Sequence, residues 1–422
     1  MDKTRKKLHV QRFQHAFVIL ALFALGMQQA NFADAPLETR AISNHVLHVI
    51  TLPAKDYEIT FCKARDQVIG RETVASMAER NGADVAINAG FFEIGPTQDG
   101  IPIGTLIIKG KIFGLRCRPH TCIVEQAGKL EIKTIDVLIS AQIDGKTTRI
   151  GTVNRFADKN DLVLYTDAWG PRTLTNFKNR REIAFDHNRR VLKTYDHGNS
   201  PIPPNGFVLS LRSSPTDNQP LKTLKVDSLT ISILGIDAIE DVSAVMGLPQ
   251  LVAHGAICPD LETHKRSFYT KPHARTALGI KANGDIIIVV AEHAYKKSLK
   301  ELNLGEVKTV ITNNAVNLML RYKKVPWMLT IEELKEFVEE ELSVKNGAAG
   351  LTIPELARVM LDLGCDSAIT LDSGGSSTLW RDGKMANQAI DENGQIMVRP
   401  VSDAIIFKKR PTPASSQNKA VA

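Results

Sequence analysis

Residues 351–380 read LTIPELARVMLDLGCDSAITLDSGGSSTLW, and the order of elements in this stretch decides the fold. Thr352 and Glu355 stand three apart ahead of apolar residues at helical spacing. In that pattern a hydroxyl and a carboxylate satisfy the free N–H groups of a first helical turn. Gly364 stops the helix, and a short apolar run ending at Ile369 predicts a buried strand that delivers Asp372 to its end. Two glycines and two hydroxyls follow. Glycine lets the backbone approach a ligand closely and turn successive N–H groups toward it. Gly374, Gly375, Ser376 and Ser377 therefore suit an anionic oxygen such as a phosphate. The same residues also make an ordinary glycine-rich turn capped by Asp372.

An upstream segment repeats this order. A helix over Arg71–Arg80, with Val74, Met77 and Ala78 on one face, is stopped by Gly82 and followed by a buried run to Ile87 and then Asn88-Ala89-Gly90-Phe91. If the two strands lie side by side in one sheet, their loops converge on the edge where open α/β sheets place ligands. Chance resemblance of two short segments is the alternative. Asn88 and Gly90 would then flank Asp372, while Phe91 and Phe92 either border a sugar or fill the core. Arg275 precedes an apolar run that turns through Asn283-Gly284 as a hairpin. It is either a surface cation or a bidentate fork for phosphate. Glu292 follows DIIIVVA and so emerges at a strand end, as Asp372 does. Two carboxylates presented from strand ends are what glycosidic hydrolysis requires.

The formal charge of +7 is mostly a targeting signal. Lys3, Arg5, Lys6, Lys7 and Arg12, opposed by Asp2, lead into AFVILALFALG and then small residues, the layout of a secretory signal peptide over 1–33. The apolar run is shorter than the about 20 residues a membrane span needs. Cleavage near Ala33 removes five cations and one anion and takes +7 to +3, with no basic stripe elsewhere to hold nucleic acid. The expectation is a periplasmic or secreted protein with no stable membrane insertion after cleavage. Five cysteines leave at least one thiol unpaired, and Cys117 with Cys122, enclosing RPHT, make the best local pair. Cys117, His120 and Cys122 lack the second ligand pair of a zinc site, and no histidine spacing points to metal or another cofactor.

From Val46 to Ile236 short β-rich runs dominate. Lys109-Gly110-Lys111 marks a hairpin, and FVLSL and SLTISIL read as strands. Thr330 with Glu333 begins an amphipathic helix carrying Ile331, Leu334, Phe337 and Val338. The predicted architecture is α+β, with mixed β-sheets and few helices in a single domain over 40–408. A disordered tail follows over 409–422.

Taken in register, five segments resemble the phosphodiester glycosidase family. They are INAGFF, GLPQLVAHG, ARTALGI, the 351–380 stretch and RPVSDAIIF, within a likeness running from Ala83 to Phe407 that is patchy from Gly145 to Ala244. The resemblance implies an exported hydrolase acting on a sugar-1-phosphodiester in a glycan or envelope polymer. Asp372, Glu292 and Arg275 are then the catalytic candidates. Asn88, Gly90, Phe91, Thr276, Gly374, Gly375, Ser376 and Ser377 are the substrate-binding ones. Three departures stand out. Ser373 replaces a family glycine, Ala291-Glu292 replaces Asp-Gly, and an insertion over 297–347 provides material for a lid or partner surface. Two other classes compete. One is a non-catalytic glycan-binding envelope protein. The other is a serine hydrolase using Ser373, because Asp-Ser-Gly-Gly also spells a protease core, with His254 upstream.

Overall fold

The computed structural model describes residues 37–42, 45–156, 162–175, 178, 180–212, 225–236, 238–293, 322–323, 328–335, 350–387 and 398–411. The segment 1–33 expected to be a signal peptide, most of the expected insertion over 297–347 and the tail beyond residue 411 lie outside them. The described chain is mostly β-sheet with few helices.

Two sheets position the site. The first runs, in spatial order, Leu37–Ile42, His45–Leu52, Ile286–His293, Arg275–Lys281, Cys365–Thr370, Gln250–Ala253 and Ala256–Ile257. The second runs Lys384–Met385, Leu379–Arg381, Val85–Asn88, Asp403–Lys409 and Tyr57–Lys63. Two further sheets, one built on the long strand Lys129–Ile143 and one on Phe207–Arg212, share a core that includes Val124, Ile139, Leu164 and Leu209.

Every ladder in the two site sheets is antiparallel, which corrects the expectation of mixed sheets. The reason lies in the crossovers. The helix Val74–Asn81 links Tyr57–Lys63 to Val85–Asn88, which run parallel, but Asp403–Lys409 is inserted between them and pairs antiparallel with each. Likewise Ile353–Asp362 leads into Cys365–Thr370, parallel to Ile286–His293, with Arg275–Lys281 inserted between. The two similar helix–strand units therefore lie in different sheets rather than side by side.

Both helices are set by their caps. Thr73 accepts a hydrogen bond from the Ser76 amide, so the first helix begins at Val74, not Arg71, and Gly82 closes it in the left-handed region at φ 62°. Thr352 and Glu355 form a complete capping box, with Pro354 in the first turn. Ile353, Leu356, Ala357 and Met360 then bury against the first sheet, each worth about 1.5–3 kcal/mol if large and apolar. Gly279 is required beneath them, because a β-carbon there would stand 2.4 Å from Cys365 Sγ and 2.7 Å from Met360 Cε. Thr330 and Glu333 form the reciprocal box predicted for the helix at 331–335, while Phe337 and Val338 lie outside the described residues.

The hairpins through Lys109-Gly110 and Asn283-Gly284 are present, with Lys109, Gly110 and Gly284 at positive φ. All five cysteines are free thiols, so the expected Cys117–Cys122 bridge is absent. Cys122 points from its strand into the core, whereas Cys117 faces a cavity. The Thr352→Ala variant should lose about 1 kcal/mol of stability through loss of the cap, read as a lower urea midpoint with unchanged slope. An unchanged midpoint would mean that the cap does not hold this helix.

Candidate active site

The ends of two strands from different sheets meet at Asn88. Its Oδ1 accepts from Thr276 Oγ1 at 2.7 Å and from the Thr378 amide at 3.0 Å, and its Nδ2 donates to the Asp372 carbonyl at 2.8 Å. The Asp372 amide donates back to the Ala89 carbonyl at 2.9 Å, and the Leu371 amide to the Thr276 carbonyl at 2.9 Å. Asn88 and Thr276 are wholly buried, and three protein bonds occupy the Asn88 amide. These two residues shape the turn that presents Asp372.

The glycine-rich loop follows. Gly374 takes φ +66° and donates its amide to the Ala274 carbonyl at 2.8 Å. A β-carbon at Gly375 would stand 2.8 Å from Arg399 Cζ, so the glycine is what lets that guanidinium lie against the loop. The hydroxyls of Thr370, Ser377 and Thr378 and Nη1 of Arg275 are buried without hydrogen-bond partners, while those of Ser376 and Ser402 turn to the carboxylates of Asp372 and Asp403. Buried polar groups are nearly always paired, so their gathering in and around one loop marks a ligand site.

The electrostatics single out Asp372. Burial pushes its carboxyl up from 3.8 to about 6, and the charge of Asp403 adds to the rise. The Ser376 hydroxyl, the Ser373 amide and the Arg399 guanidinium pull the other way. Asp403 is itself raised by burial, against the pull of Lys63 and the Gly90 amide, which bonds its Oδ1 at 2.5 Å. Lys63 is lowered by burial to about 8, with Asp403 resisting the fall. Gly90 is needed above Asp403, since a β-carbon there would meet Oδ1 at 3.1 Å.

The other candidates are placed differently. The Arg275 guanidinium is wholly buried over the Phe268 ring, 4.7 Å from its centroid. Its Nε donates to the Leu351 carbonyl and its Nη2 to those of Phe268 and Lys271, so most of the expected phosphate fork is already spent on backbone. Desolvation lowers it to about 10. Half-buried Phe91 packs edge-on to Phe268 at 6.1 Å. Glu292 is held by His48 Nε2 at 2.9 Å, on a strand separated from that of Asp372 by Arg275–Lys281. Two strand spacings amount to roughly 10 Å of sheet. Ser373 donates its hydroxyl to the Leu371 carbonyl, while exposed His254 lies in the turn whose Gly255 amide bonds Asp366, at the opposite end of the strand. That span is roughly 20 Å, too far for a serine–histidine pair. Among the described residues no cluster of three histidines, cysteines or carboxylates is placed to hold a metal.

The sequence reading missed Arg399, Asp403 and Lys63. The first two lie in RPVSDAIIF, whose arginine and aspartate were the available signal. Lys63 had none, since its pairing with Asp403 is a matter of register between distant strands.

The sequence profile of the phosphodiester glycosidase family matches residues 179–319 and 327–408. The chain belongs to this family. The match takes in Arg275, Glu292, Asp372, Arg399 and Asp403, covers part of the region read as patchy, and leaves out INAGFF. An uncharacterized protein of Rickettsia conorii is 34% identical over 295 residues, 68% of this chain and 99% of its own length. A hypothetical protein from Synechocystis shares the fold of this chain with a TM-score of 0.60 at 19% identity. That comparison covers 89% of this chain and 61% of that one. A Burkholderia pseudomallei protein, named as one predicted to be exported, aligns with a TM-score of 0.57 at 20% identity, over 86% of this chain and 74% of its own.

The raised carboxyl has a pH signature. Because folding favours protonated Asp372, its contribution is fully present below about pH 3.8 and is lost as pH rises through about 6, a swing of up to about 3 kcal/mol. Asp372→Asn, which removes the charge, should match the wild type below pH 4 and exceed its melting temperature above pH 7. Thermal melts from pH 4 to 8 read this, and a pH-independent gap would refute the burial argument.

Proposed function

We propose that this member of the phosphodiester glycosidase family is exported and hydrolyses a sugar-1-phosphodiester in a glycan or envelope polymer, with Asp372 as its catalytic carboxylate. The observation that carries the reading is a carboxyl held at about pH 6 beside a loop of unpartnered donors, under the guanidinium of Arg399.

Water attacks the anomeric carbon as the bond from that carbon to the phosphate oxygen breaks, and the phosphate monoester leaves with the electron pair. Such a leaving group needs little protonation. Asp372 takes the proton of the attacking water as general base, a task suited to a pKa near the working pH. Its negative charge also stabilises the cationic character developing at the sugar carbon. Arg399, the Gly375 amide and the Ser377 hydroxyl hold the departing phosphate, preorganised donors of this kind being worth about 3 kcal/mol each, while the Gly374 amide is committed to Ala274 and the Ser376 hydroxyl to Asp372. Gly90 and Phe91 border the sugar, and Asn88 and Thr276 fix the turn. Arg275, committed to backbone carbonyls, is a positioning residue here, and Glu292, held by His48, is the second carboxylate, at a strand end two strands away.

Two measurements test the proposal. Purified protein offered a panel of sugar-1-phosphodiesters should release free sugar. Asp372→Asn should lower the rate about 100- to 10,000-fold without loss of binding, while Ser373→Ala stays active. Glycan binding with no release from any substrate would favour a non-catalytic binder, and abolition by Ser373→Ala would favour a serine nucleophile. For export, N-terminal sequencing of envelope-fraction protein should begin near Ala33, and an intact Met1 terminus in the cytoplasm would overturn it.

A further inference from the structure

A cavity of about 680 Å³ has Glu93, three residues beyond Gly90, in its wall. One wall is the loop after Phe92, folded back on itself by the bonds Glu93 N to Ile101 O and Ile103 N to Phe91 O. The other walls are the segment after the Lys111–Gly114 strand, with Arg116 and Arg118, and the segment 151–156, with Thr152 and Arg155. The lining holds three arginines against one carboxylate, Glu93, a formal excess of +2.

That carboxylate is already engaged. Arg155 donates to Glu93 Oε1 at 3.1 Å and to the Pro102 carbonyl at 2.7 Å. Arg116 and Arg118 therefore face the cavity without an acid of their own among its lining residues, and Nε of Arg116 is buried with no hydrogen-bond partner. Burial and the like charge of Arg118 both pull Arg116 down. A buried guanidinium nitrogen left unpaired is costly, and a phosphate oxygen is the partner its fork geometry fits best. Thr97, Gln98 and Thr152 supply neutral donors to the same space.

We propose that this cavity is an anion subsite that binds a phosphate group of the substrate next to the one being cleaved. The wall that carries Glu93 begins three residues after Gly90, whose amide holds Asp403 beneath the catalytic loop. Three extended residues span roughly 10 Å, the scale of one phosphorylated sugar unit. The enzyme is thereby selective for a polymer or oligomer with repeated phosphodiesters over a single sugar phosphodiester. The existence of the subsite stands on the cavity alone, while its place in substrate selection rests on the proposed hydrolase activity.

The test separates the two. Inorganic phosphate is titrated calorimetrically at low salt into full-length protein, Arg116→Gln and Arg118→Gln, all in an Arg399→Gln background that silences the catalytic loop. Arg118 is exposed, so its replacement leaves folding intact. Each variant should bind phosphate about tenfold more weakly than its background, as loss of a charge-assisted contact predicts. With Arg399 restored, both variants should keep the kcat/KM of a single-phosphodiester substrate and show about a tenfold higher KM for one carrying two. Phosphate binding unchanged by both substitutions overturns the subsite whether or not the protein is a hydrolase. Weakened phosphate binding in a protein that hydrolyses nothing keeps the subsite and sinks the hydrolase reading. An equal KM rise for both substrates overturns the neighbouring-phosphate assignment.

Discussion

The architecture of the site depends on the buried side chain of Asn88. One carboxamide joins the strand Val85–Asn88 of one sheet to the turn after Cys365–Thr370 of another, accepting from Thr276 and Thr378 and donating to the Asp372 backbone. The bonds from Thr276 and Thr378 are buried and that to Asp372 is partly so, and breaking a buried one leaves its partner unsatisfied at a cost of about 1–3 kcal/mol. Asp372 owes its position to this joint. Aspartate in place of Asn88 would keep the oxygens but lose the donor, and would add a third carboxylate beside two that already resist ionisation.

Asp403 and Asp372 each take a neighbouring serine hydroxyl, Ser402 and Ser376. The charge of Asp403 raises the cost of ionising Asp372, and the fold answers with Lys63 beside Asp403 and Arg399 beside Asp372. Neither cation is a free surface charge. Lys63 pairs across the sheet with Asp403, and Arg399 reaches the loop only because Gly375 has no side chain. A site assembled this way trades stability for function, since the charge at Asp372 opposes folding at the pH where a base is needed.

Much of this was legible in the chain itself. Thr352 with Glu355 announced a capped helix, Gly82 announced a stop, and Lys109-Gly110 and Asn283-Gly284 announced hairpins, because caps and turns are local physics. Asp372 and its glycine loop were visible for the same reason. What failed was non-local. The two helix–strand units resemble each other, yet they fall in different sheets, and a strand is inserted in each crossover, Asp403–Lys409 from far along the chain in one and the hairpin partner Arg275–Lys281 in the other, which makes the ladders antiparallel. Arg275 looked like a phosphate fork because sequence cannot show the carbonyls of Phe268, Lys271 and Leu351 closing around it. Arg399 was overlooked because its value depends on Gly375, 24 residues away in the chain.

The central claim is that Asp372, tuned by burial and Arg399, is the base that governs turnover. The most direct measurement is the pH dependence of kcat/KM for a sugar-1-phosphodiester, in the wild type and in Arg399→Gln. The account predicts an activity that rises through an ionisation near pH 6. That limb should move to higher pH when Arg399 is replaced, because a positive charge that favours ionised Asp372 is gone. A profile with no ionisation between pH 5 and 7.5, or a limb that Arg399→Gln leaves in place, would contradict it.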